Sequence, residues 1–277
     1  MLKRRRSGGR GMACHAPTSP DRSTAAAPTW HLFIDPDGRS GAENMAVDRA
    51  LLDEADRVGS SVLRLYRWDP PCLSFGRNEA ATQHYDRRRI EQLGIDVVRR
   101  PTGGSAVWHE HEVTYAVAAP IETFGSLRRA YRAIHERLAA ALRSLGADAT
   151  LAPTPPPAFP PSRPSACFSA AVGGEILAGG RKLVGSAQVR QSGAFLQHGS
   201  ILMAGSQEII QAVSTQSPAV SQATTLSDVL GRPIAFEEVA NAVVSVFTDR
   251  PTAALSDRRL TRPPPHPFLD PSWTWRR

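Results

Sequence analysis

The sequence contains no run of 18 or more apolar residues, so a membrane-spanning helix is not expected. Cysteine is scarce: the 277 residues include three, Cys14, Cys72 and Cys167. So few cysteines, in an odd number, do not build a disulfide framework and are typical of a reducing compartment. The C-x-x-C and H-E-x-x-H patterns of common zinc sites are also missing, so no metal is predicted. These absences favour a cytoplasmic protein without a membrane partner.

The positive charge is concentrated at one end of the chain. The formal net charge is +7, but residues 1–29 carry +5 and the other 248 residues carry +2. The first 29 residues are rich in Arg, Gly, Ser, Pro and Ala without an apolar period, which predicts a disordered basic N-terminal tail. A start at Met12 and an Arg-rich mitochondrial leader both stay open. The charge distribution argues against a basic groove that binds nucleic acid.

The middle of the chain has the patterning of a folded domain. Hydrophobic residues make up 41% and charged residues 21%, as in ordinary globular proteins. We predict one domain over residues 30–250 and a loosely structured, Pro/Arg-rich C-terminal tail over 251–277, whose Phe268, Trp273 and Trp275 could dock on the domain. Seven prolines within 153–164 predict a loop that is neither helix nor central strand.

Apolar periodicity predicts a mixture of helices and strands. A capping box from Ser40 to Glu43 begins a helix that ends near Arg57. Further helices are expected at 83–93, 127–145, 207–213, 225–230 and 236–247. Strands are expected at 62–68, 72–75, 95–99, 113–119, 175–177, 182–190 and 194–203, with a hairpin turn at 191–193. The order of these elements predicts an α+β fold, a mostly antiparallel β-sheet flanked by helices.

A Gly-Gly pair, Gly103 and Gly104, follows one predicted strand. Because glycine has no side chain, backbone N–H groups at such a turn can approach an anion or a carbonyl oxygen. Arg99 and Arg100 beside the pair would supply donors to a carboxylate or phosphate. A tight turn without a ligand is the alternative, since Gly-Gly loops are common.

Lys182 begins a predicted strand whose next residues include the small Gly185, Ser186 and Ala187. Small residues line surfaces that a ligand approaches closely, and a lysine there can polarise a carbonyl or lower the pKa of a thiol. A solvated lysine at the start of a strand is the alternative.

Two cysteines of the predicted domain lie in different settings. Cys72, on a strand between Pro71 and Leu73, suits a small buried hydrophobic position. Cys167 lies at a loop-to-strand junction 15 residues before Lys182, and a nucleophilic cysteine needs a positive charge nearby. Cys167 is therefore the candidate nucleophile.

Three histidines, His109, His111 and His198, are candidate bases, although a single histidine is more often structural. The run His109-Glu110-His111-Glu112 spaces two imidazoles by i,i+2, which places them on one face of a strand. Without a third ligand this pair does not predict a metal site.

Five short motifs follow one another in order: RRPTGG at 99–104, AVWH at 106–109 with EVTY at 112–115, ACF at 166–168, GRKLVGSAQ at 180–188 and FLQHGSI at 195–201. Together they resemble the lipoate/biotin protein ligase superfamily over about residues 30–250. The most similar branch comprises the cysteine-dependent octanoyltransferases that look like lipoate–protein ligase A. The resemblance implies the catalytic domain of biotin and lipoate ligases, of the class II synthetase type.

The resemblance also implies a reaction. The enzymes of this branch are acyltransferases of lipoate biosynthesis, which move octanoyl from acyl carrier protein to a lysine of a lipoyl domain. The acceptors are 2-oxoacid dehydrogenase complexes or the glycine cleavage H protein. By position, Cys167 would form the acyl thioester, and Lys182 would lower the cysteine pKa and orient the carbonyl. No cofactor is required for this reaction, and we expect a monomer.

The same resemblance implies a site for the acyl chain and its carbonyl oxygen. By position, that site would comprise Arg100, Gly103, Gly104, Ser105, Ala106, His109, Gly185, Ser186, Ala187, His198 and Gly199. The chain departs from the family pattern at Ser105, where relatives often carry glycine or arginine, and at Ser169, where an acidic residue is common. The Pro-rich insertion at 153–164 is a third departure.

Other functions stay open. In an ATP-dependent lipoate–protein ligase, Arg100, the Gly-Gly loop and Lys182 would hold an acyl-adenylate made with ATP and magnesium. Cys167 would then be idle, and the 79 residues after His198 leave little room for an accessory domain. An octanoyl amidotransferase acting between lipoyl-bearing proteins, a biotin ligase and a non-catalytic nucleic-acid-binding protein are further alternatives.

Overall fold

The computed structural model describes residues 30–153, 168, 173–216, 223–247 and 252–276. The predicted tail at 1–29, most of the Pro-rich loop, Cys167 and Ser169 lie outside the described residues. None of the described helices is both long and apolar enough to cross a bilayer.

The described strands are β1 (Trp30–Arg39), β2 (Ser61–Trp68), β3 (Cys72–Phe75), β4 (Asp96–Arg99), β5 (Val107–His109), β6 (Glu112–Pro120), β7 (Ala149–Leu151), β8 (Ile176–Ala178), β9 (Arg181–Gln191), β10 (Ala194–Leu202) and β11 (Thr252–Ala254). The described helices are α1 (Gly41–Val58), α2 (Ala81–His84), α3 (Arg87–Gln92), α4 (Leu127–Ser144), α5 (Ile209–Val213), α6 (Leu226–Leu230), α7 (Phe236–Ser245), α8 (Arg258–Thr261) and α9 (Pro271–Thr274), with a 3₁₀ turn at Ile121–Thr123.

These strands form two sheets. The large sheet has the order β11-β1-β2-β6-β10-β9-β8-β7, and the small one has the order β4-β3-β5. Pairing from β2 through β7 is antiparallel, while β11–β1, β1–β2 and β3–β4 are parallel. The predicted α+β class and the mostly antiparallel sheet are confirmed.

The two faces of the large sheet bury different helices. Side chains alternate along β6, so Tyr115 and Val117 pack with α4 and α7, while Ala116 and Ala118 pack with α1. We call these the α4 face and the α1 face. The predicted capping box is present, since Ser40 and Glu43 bond to each other's backbone N–H at the start of α1.

Several elements differ from the sequence predictions, and they include the three-residue strands β5 and β7, which were not expected. The single helix expected at 83–93 is two short helices, because Tyr85 is extended and pairs with Ser214, and Asp86 then caps α3 by accepting from the N–H of Arg89. Strand β1 was missed because Pro36 and Gly38 interrupt its pattern. Its pairing with β2 shifts register between Asp35 and Arg39.

The C-terminal segment at 252–276 is more ordered than the sequence predicted. Strand β11 extends the large sheet, and Phe268 is buried in the cluster beneath α1. Trp273 Nε1 donates to the carbonyl of Arg99 at 2.9 Å, and the ring of Trp275 packs against Phe75. The three aromatic residues therefore dock on the domain. The domain boundaries at 29/30 and 250/251 stay a prediction.

Candidate active site

A narrow cavity lies on the α1 face, between the large sheet, α1 and the small sheet. Most of the exposed lining is apolar. The lining residues are Met45, Tyr66, Trp68, Arg100, Val107, His109, Thr114, Gly185, Ser186, Ala187, His198, Gly199 and Ser200.

The structure brings most of the predicted site residues together. Those that line the cavity are Arg100, His109, Gly185, Ser186, Ala187, His198 and Gly199. Those that do not are Gly103, Gly104, Ser105, Ala106 and Lys182. Ala106 is buried in the small core around β3, and its N–H donates to Glu79 at 3.1 Å.

Lys182 is buried beside the cavity wall. Its side chain is 2% exposed, and its Nζ lies 2.8 Å from Oε1 of Glu175 and 5.1 Å from the ring centre of Phe168. A Cβ placed on Gly185 would lie 3.0 Å from Phe168 and 3.2 Å from Cε of Lys182. The lysine stem and the phenyl ring therefore pass directly over a cavity-lining residue, and a solvated Lys182 is excluded.

Glycine at position 199 lets two strands and a buried tyrosine approach closely. A Cβ there would lie 2.4 Å from the carbonyl oxygen of Gly185, 2.5 Å from Oγ of Ser186 and 2.9 Å from the ring of Tyr115. Gly199 pairs with Ser186 across β9 and β10, so both side-chain positions face α4. Ser186 thus borders the cavity while its hydroxyl points to the opposite face.

Arg99 and Arg100 were expected to offer donors to a substrate anion, but they bond to backbone carbonyls. Arg100 Nη2 donates to Gly103 and Ser105 at 2.9 and 2.7 Å, and its Nη1 donates to Ser74 at 3.0 Å. Arg99 donates to carbonyls of two other segments, residues 76–79 and 273–276. The expectation of free donors is therefore wrong, since these guanidiniums hold the loops in place.

The Gly103–Gly104 turn is packed against a second glycine. A Cβ on Gly76 would lie 1.8 Å from the carbonyl oxygen of Gly104, so this position excludes any side chain. Gly104 has a φ of +93°, which favours glycine. The two glycine loops therefore stack, with Arg100 closing one side.

His198 lies between a carboxylate and a hydroxyl on the α1 face. Its Nδ1 is 2.8 Å from Oδ2 of Asp48, and its Nε2 is 2.6 Å from Oγ1 of Thr102. Burial alone would raise the pKa of Asp48, but hydrogen bonds from His198 and the charge of Arg64 outweigh it and lower the pKa. Arg64 and Tyr66 also donate to Asp48, at 2.8 and 2.9 Å.

His109 has a similar arrangement. Its Nδ1 is 2.8 Å from Oε1 of Glu112, its Nε2 is 2.7 Å from Oγ of Ser74, and its ring stacks on Trp68. Burial lowers the pKa of His109 more than the nearby Glu112 raises it. The imidazole is therefore neutral near pH 7 and fixed at both nitrogens.

His111 is not a partner of His109. Strand β5 ends at His109, so His111 lies in the turn before β6, where its side chain is 60% exposed. The prediction that both imidazoles share one strand face is wrong because the strand ends between them. No described group of three or more His, Cys, Asp or Glu is arranged to bind a metal ion.

A third buried histidine, His135 on α4, lies behind the cavity wall. Its Nδ1 donates to the carbonyl of Gly174 at 2.6 Å, and its Nε2 accepts from Oγ of Ser186 at 2.8 Å. Burial lowers the pKa of His135 to about 4, so the ring is neutral. Ser186 also lies 2.6 Å from the hydroxyl of Tyr115, which accepts from Gln197.

Sequence reasoning missed Asp48, His135 and Glu175. The first two had a signal: each is a charged or titratable residue within the apolar stripe of its helix. Asp48 lies between Met45 and Leu51 on α1, and His135 follows Ile134 on the buried side of α4. Such residues are buried with partners. Glu175 precedes a short strand and had no comparable signal.

Comparison with known proteins gives consistent matches. The sequence profile of the lipoyl protein ligase A/B catalytic domain matches residues 40–248. Octanoyltransferase LipM of Kyrpidia tusciae is 39% identical over 251 residues, which cover 84% of this chain and 91% of that protein. Octanoyltransferase LipM of Moorella thermoacetica is 37% identical over 237 residues, which cover 80% of this chain and 86% of that protein. The predicted resemblance and an acyltransferase enzyme are confirmed.

Solved structures share the fold. A crystal structure of lipoate-protein ligase A bound with ATP superposes with a TM-score of 0.67 at 22% identity, covering 85% of this chain and 93% of that one. A bi-partite lipoate protein ligase from Thermoplasma acidophilum gives a TM-score of 0.68 at 19% identity, and the superposition covers 90% of this chain and 97% of that one. At these identities the likeness concerns the fold alone.

Proposed function

Because this chain belongs to the lipoyl protein ligase A/B catalytic domain family, we propose that it transfers octanoyl groups in protein lipoylation. The donor is octanoyl-acyl carrier protein, the intermediate is a thioester on Cys167, and the acceptor is a lysine of a lipoyl domain. The names of the relatives support octanoyl transfer. The acceptor proteins are lipoyl domains of 2-oxoacid dehydrogenase complexes or the glycine cleavage H protein.

The observation that carries this proposal is the buried Lys182. Its ammonium lies over the ring of Phe168, the residue that follows Cys167 in the sequence, and its Cε lies beside Gly185 in the cavity wall. A positive charge beside a cysteine favours the thiolate, which is the nucleophilic form. Glu175 keeps the lysine in place, since a buried charge requires a partner.

In the first step, the Cys167 thiolate attacks the carbonyl carbon of the donor thioester. The bond from that carbon to the phosphopantetheine sulfur breaks, and this sulfur leaves as a thiolate that takes up a proton. One thioester replaces another, so the step is nearly isoenergetic and needs neither ATP nor another cofactor.

In the second step, the neutral amine of the acceptor lysine attacks the Cys167 thioester. The C–S bond breaks, the cysteine leaves as a thiolate, and the new amide nitrogen loses a proton. A buried site beside the Lys182 ammonium disfavours the charged form of an incoming amine, which promotes this attack.

The cavity on the α1 face would hold the acyl chain. Met45, Tyr66, Trp68 and Val107 present side chains of largely apolar character to it. Burial of a chain in such a site is worth about 0.8 kcal/mol per CH₂, so cavity depth would select chain length. Arg100 would hold the Gly103–Ser105 loop, which we assign to the carbonyl oxygen.

The test measures the intact mass of a purified lipoyl domain after incubation with this protein. One tube holds octanoyl-acyl carrier protein without ATP, and a second holds octanoate, ATP and magnesium. We expect a mass increase of one octanoyl group in the first tube alone, and its loss in Cys167→Ala. Cys72→Ala is the matched control, because Cys72 is buried and burial holds the pKa of its thiol well above the usual range.

Each other result contradicts the proposal in a distinct way. Modification in the second tube alone, surviving Cys167→Ala, identifies an ATP-dependent ligase. Modification from an octanoylated lipoyl-bearing protein, with none from acyl carrier protein, identifies the amidotransferase. Equal activity loss in Cys72→Ala and Cys167→Ala would contradict a specific role of Cys167 as the nucleophile.

A further inference from the structure

Arg276, near the C-terminal end of the described chain, is held next to Arg77. Arg99 donates to the carbonyls of both residues, at 2.9 and 3.2 Å, and Arg276 Nη2 donates to the carbonyl of Arg77. The guanidinium of Arg276 also lies 4.0 Å from the ring centre of Trp273. These contacts hold the charged Arg276 guanidinium against the backbone of Arg77, whose own positively charged side chain is exposed.

These two charges lack a counter-charge in the part of the chain that the structure describes. Neither guanidinium forms an ion pair with a described carboxylate, and Glu79 nearby already accepts from Gly76, Tyr85 and Ala106. Burial and the charge of Arg77 lower the pKa of Arg276. An anion bound between the two would relieve this repulsion.

The arginine pair is connected to the candidate active site through backbone. The N–H of Arg77 donates to the carbonyl of Thr102 at 2.7 Å, and the hydroxyl of Thr102 bonds to the cavity-lining His198. Gly76 packs directly on the carbonyl of Gly104. An anion at this pair would therefore lie next to the glycine loops that border the site.

We propose that Arg77 and Arg276 bind the phosphodiester of the donor's phosphopantetheine arm. This inference rests on the proposed function, because the arm belongs to the acyl carrier protein. A guanidinium presents donors in a planar fork that fits phosphate oxygens. The acceptor lysine carries no phosphate, so the pair favours the donor in the first step and leaves the acceptor unaffected.

The primary test is binding, which does not depend on turnover. The probes are the methyl phosphodiester of phosphopantetheine, which has one negative charge, and pantetheine, which has none. We expect the full-length protein to bind the phosphodiester about tenfold more tightly in calorimetry, since hydrogen bonds to charged groups are worth at least this factor. Arg77→Gln and Arg276→Gln should remove the difference, and Arg259→Gln, the same charge change in the C-terminal segment, should keep it.

A second measurement separates the phosphate from the rest of the donor. With the octanoyl thioesters of the same two probes as donors, Arg276→Gln should raise KM for the phosphodiester about tenfold and leave kcat and the pantetheine KM unchanged.

Equal binding of both probes by the parent protein overturns the inference, as does a difference that survives both arginine variants. A KM change seen only with intact carrier protein also overturns it and points to the carrier surface. Absence of transfer with the binding difference intact refutes the proposed function and leaves the anion site standing.

Discussion

The two faces of the large sheet each bury a histidine that is hydrogen-bonded at both ring nitrogens, but the partners differ in charge. On the α1 face, His198 lies between the Asp48 carboxylate and the Thr102 hydroxyl. On the α4 face, His135 lies between the Gly174 carbonyl and the Ser186 hydroxyl. The same ring is thus fixed once by a formal charge and once by dipoles.

The difference follows the position of the cavity. The α1 face borders the cavity, and its network contains the ions Asp48 and Arg64. The α4 face lies behind the cavity wall, and its network runs through the neutral groups of Gln197, Tyr115 and Ser186. The hydrogen bonds named here therefore include formal charges on the cavity side and neutral groups alone behind the wall. The two faces should therefore respond differently to mutation and to pH.

The largest effect is expected from Asp48→Asn, which removes the carboxylate from the α1 network. Arg64 would keep a single carboxylate partner, Asp35, and the charge of this fully buried guanidinium would be poorly compensated. Breaking a buried ion pair from one side costs about 3–5 kcal/mol. Urea denaturation at pH 7 should show a loss in the free energy of unfolding of that size.

Asp53→Asn is the matched control for this change. Asp53 is also on α1 and is paired with an arginine, Arg49, but both side chains are about half exposed. Exposed ion pairs contribute about 0–1 kcal/mol to stability, so the free energy of unfolding of this variant should be close to that of the parent. Similar losses in the two variants would contradict a special role for the buried network.

The next effect concerns pH and distinguishes the two faces directly. The folded pKa of His135 is about 4, below the ordinary 6.5. Between these values the unfolded chain binds a proton that the folded chain does not. The free energy of unfolding therefore falls as pH is lowered from about 6.5 to 4, by up to about 3 kcal/mol from this group. His135→Gln, whose amide can make both hydrogen bonds, should remove this part of the loss in the free energy of unfolding.

The contribution of the Asp48 network should not change with pH in the same range. The pKa of Asp48 is lowered from 3.8, so its contribution is present above that value and is lost as pH falls below it. Urea denaturation should be repeated from pH 7 to 4.5. The free energy of unfolding of Asp48→Asn should lie below that of the parent by a constant amount, whereas the difference between the parent and His135→Gln should become smaller as the pH falls. Parallel curves for the two variants would show that folding does not lower the pKa of His135.

Much of the site could be predicted because its residues stand in short motifs with local causes. Gly185 and Gly199 lie in strands where a side chain would clash, and a glycine within a strand pattern is visible in sequence. Apolar periodicity predicted the fold class, and it also predicted α1, α4 and the β9–β10 hairpin, which the structure confirms. These signals depend on residues that are close together along the chain.

The remaining features depend on partners that are distant in sequence. The donors of Arg99 were predicted to be available because their carbonyl acceptors lie 20 to 177 residues away along the chain. The docking of Trp275 against Phe75 has the same origin. His135 and Asp48 join networks whose other members lie on different elements. Periodicity shows that such residues are buried, but only the tertiary structure shows which hydrogen bonds satisfy them.

The smallest effect is expected where the two faces meet, in Gly199→Ala. The added Cβ would lie 2.4 Å from the Gly185 carbonyl and 2.5 Å from Oγ of Ser186, so β9 and β10 must separate or Ser186 must turn away from His135. Overpacking of this kind costs about 1–3 kcal/mol. Gly193→Ala in the same hairpin has its nearest neighbour at 3.8 Å and should change stability by less than about 0.5 kcal/mol in the same urea series. If the two variants changed the free energy of unfolding equally, β9 and β10 would have space for a methyl group at position 199. The close contact that connects the cavity wall to the α4 network would then not exist.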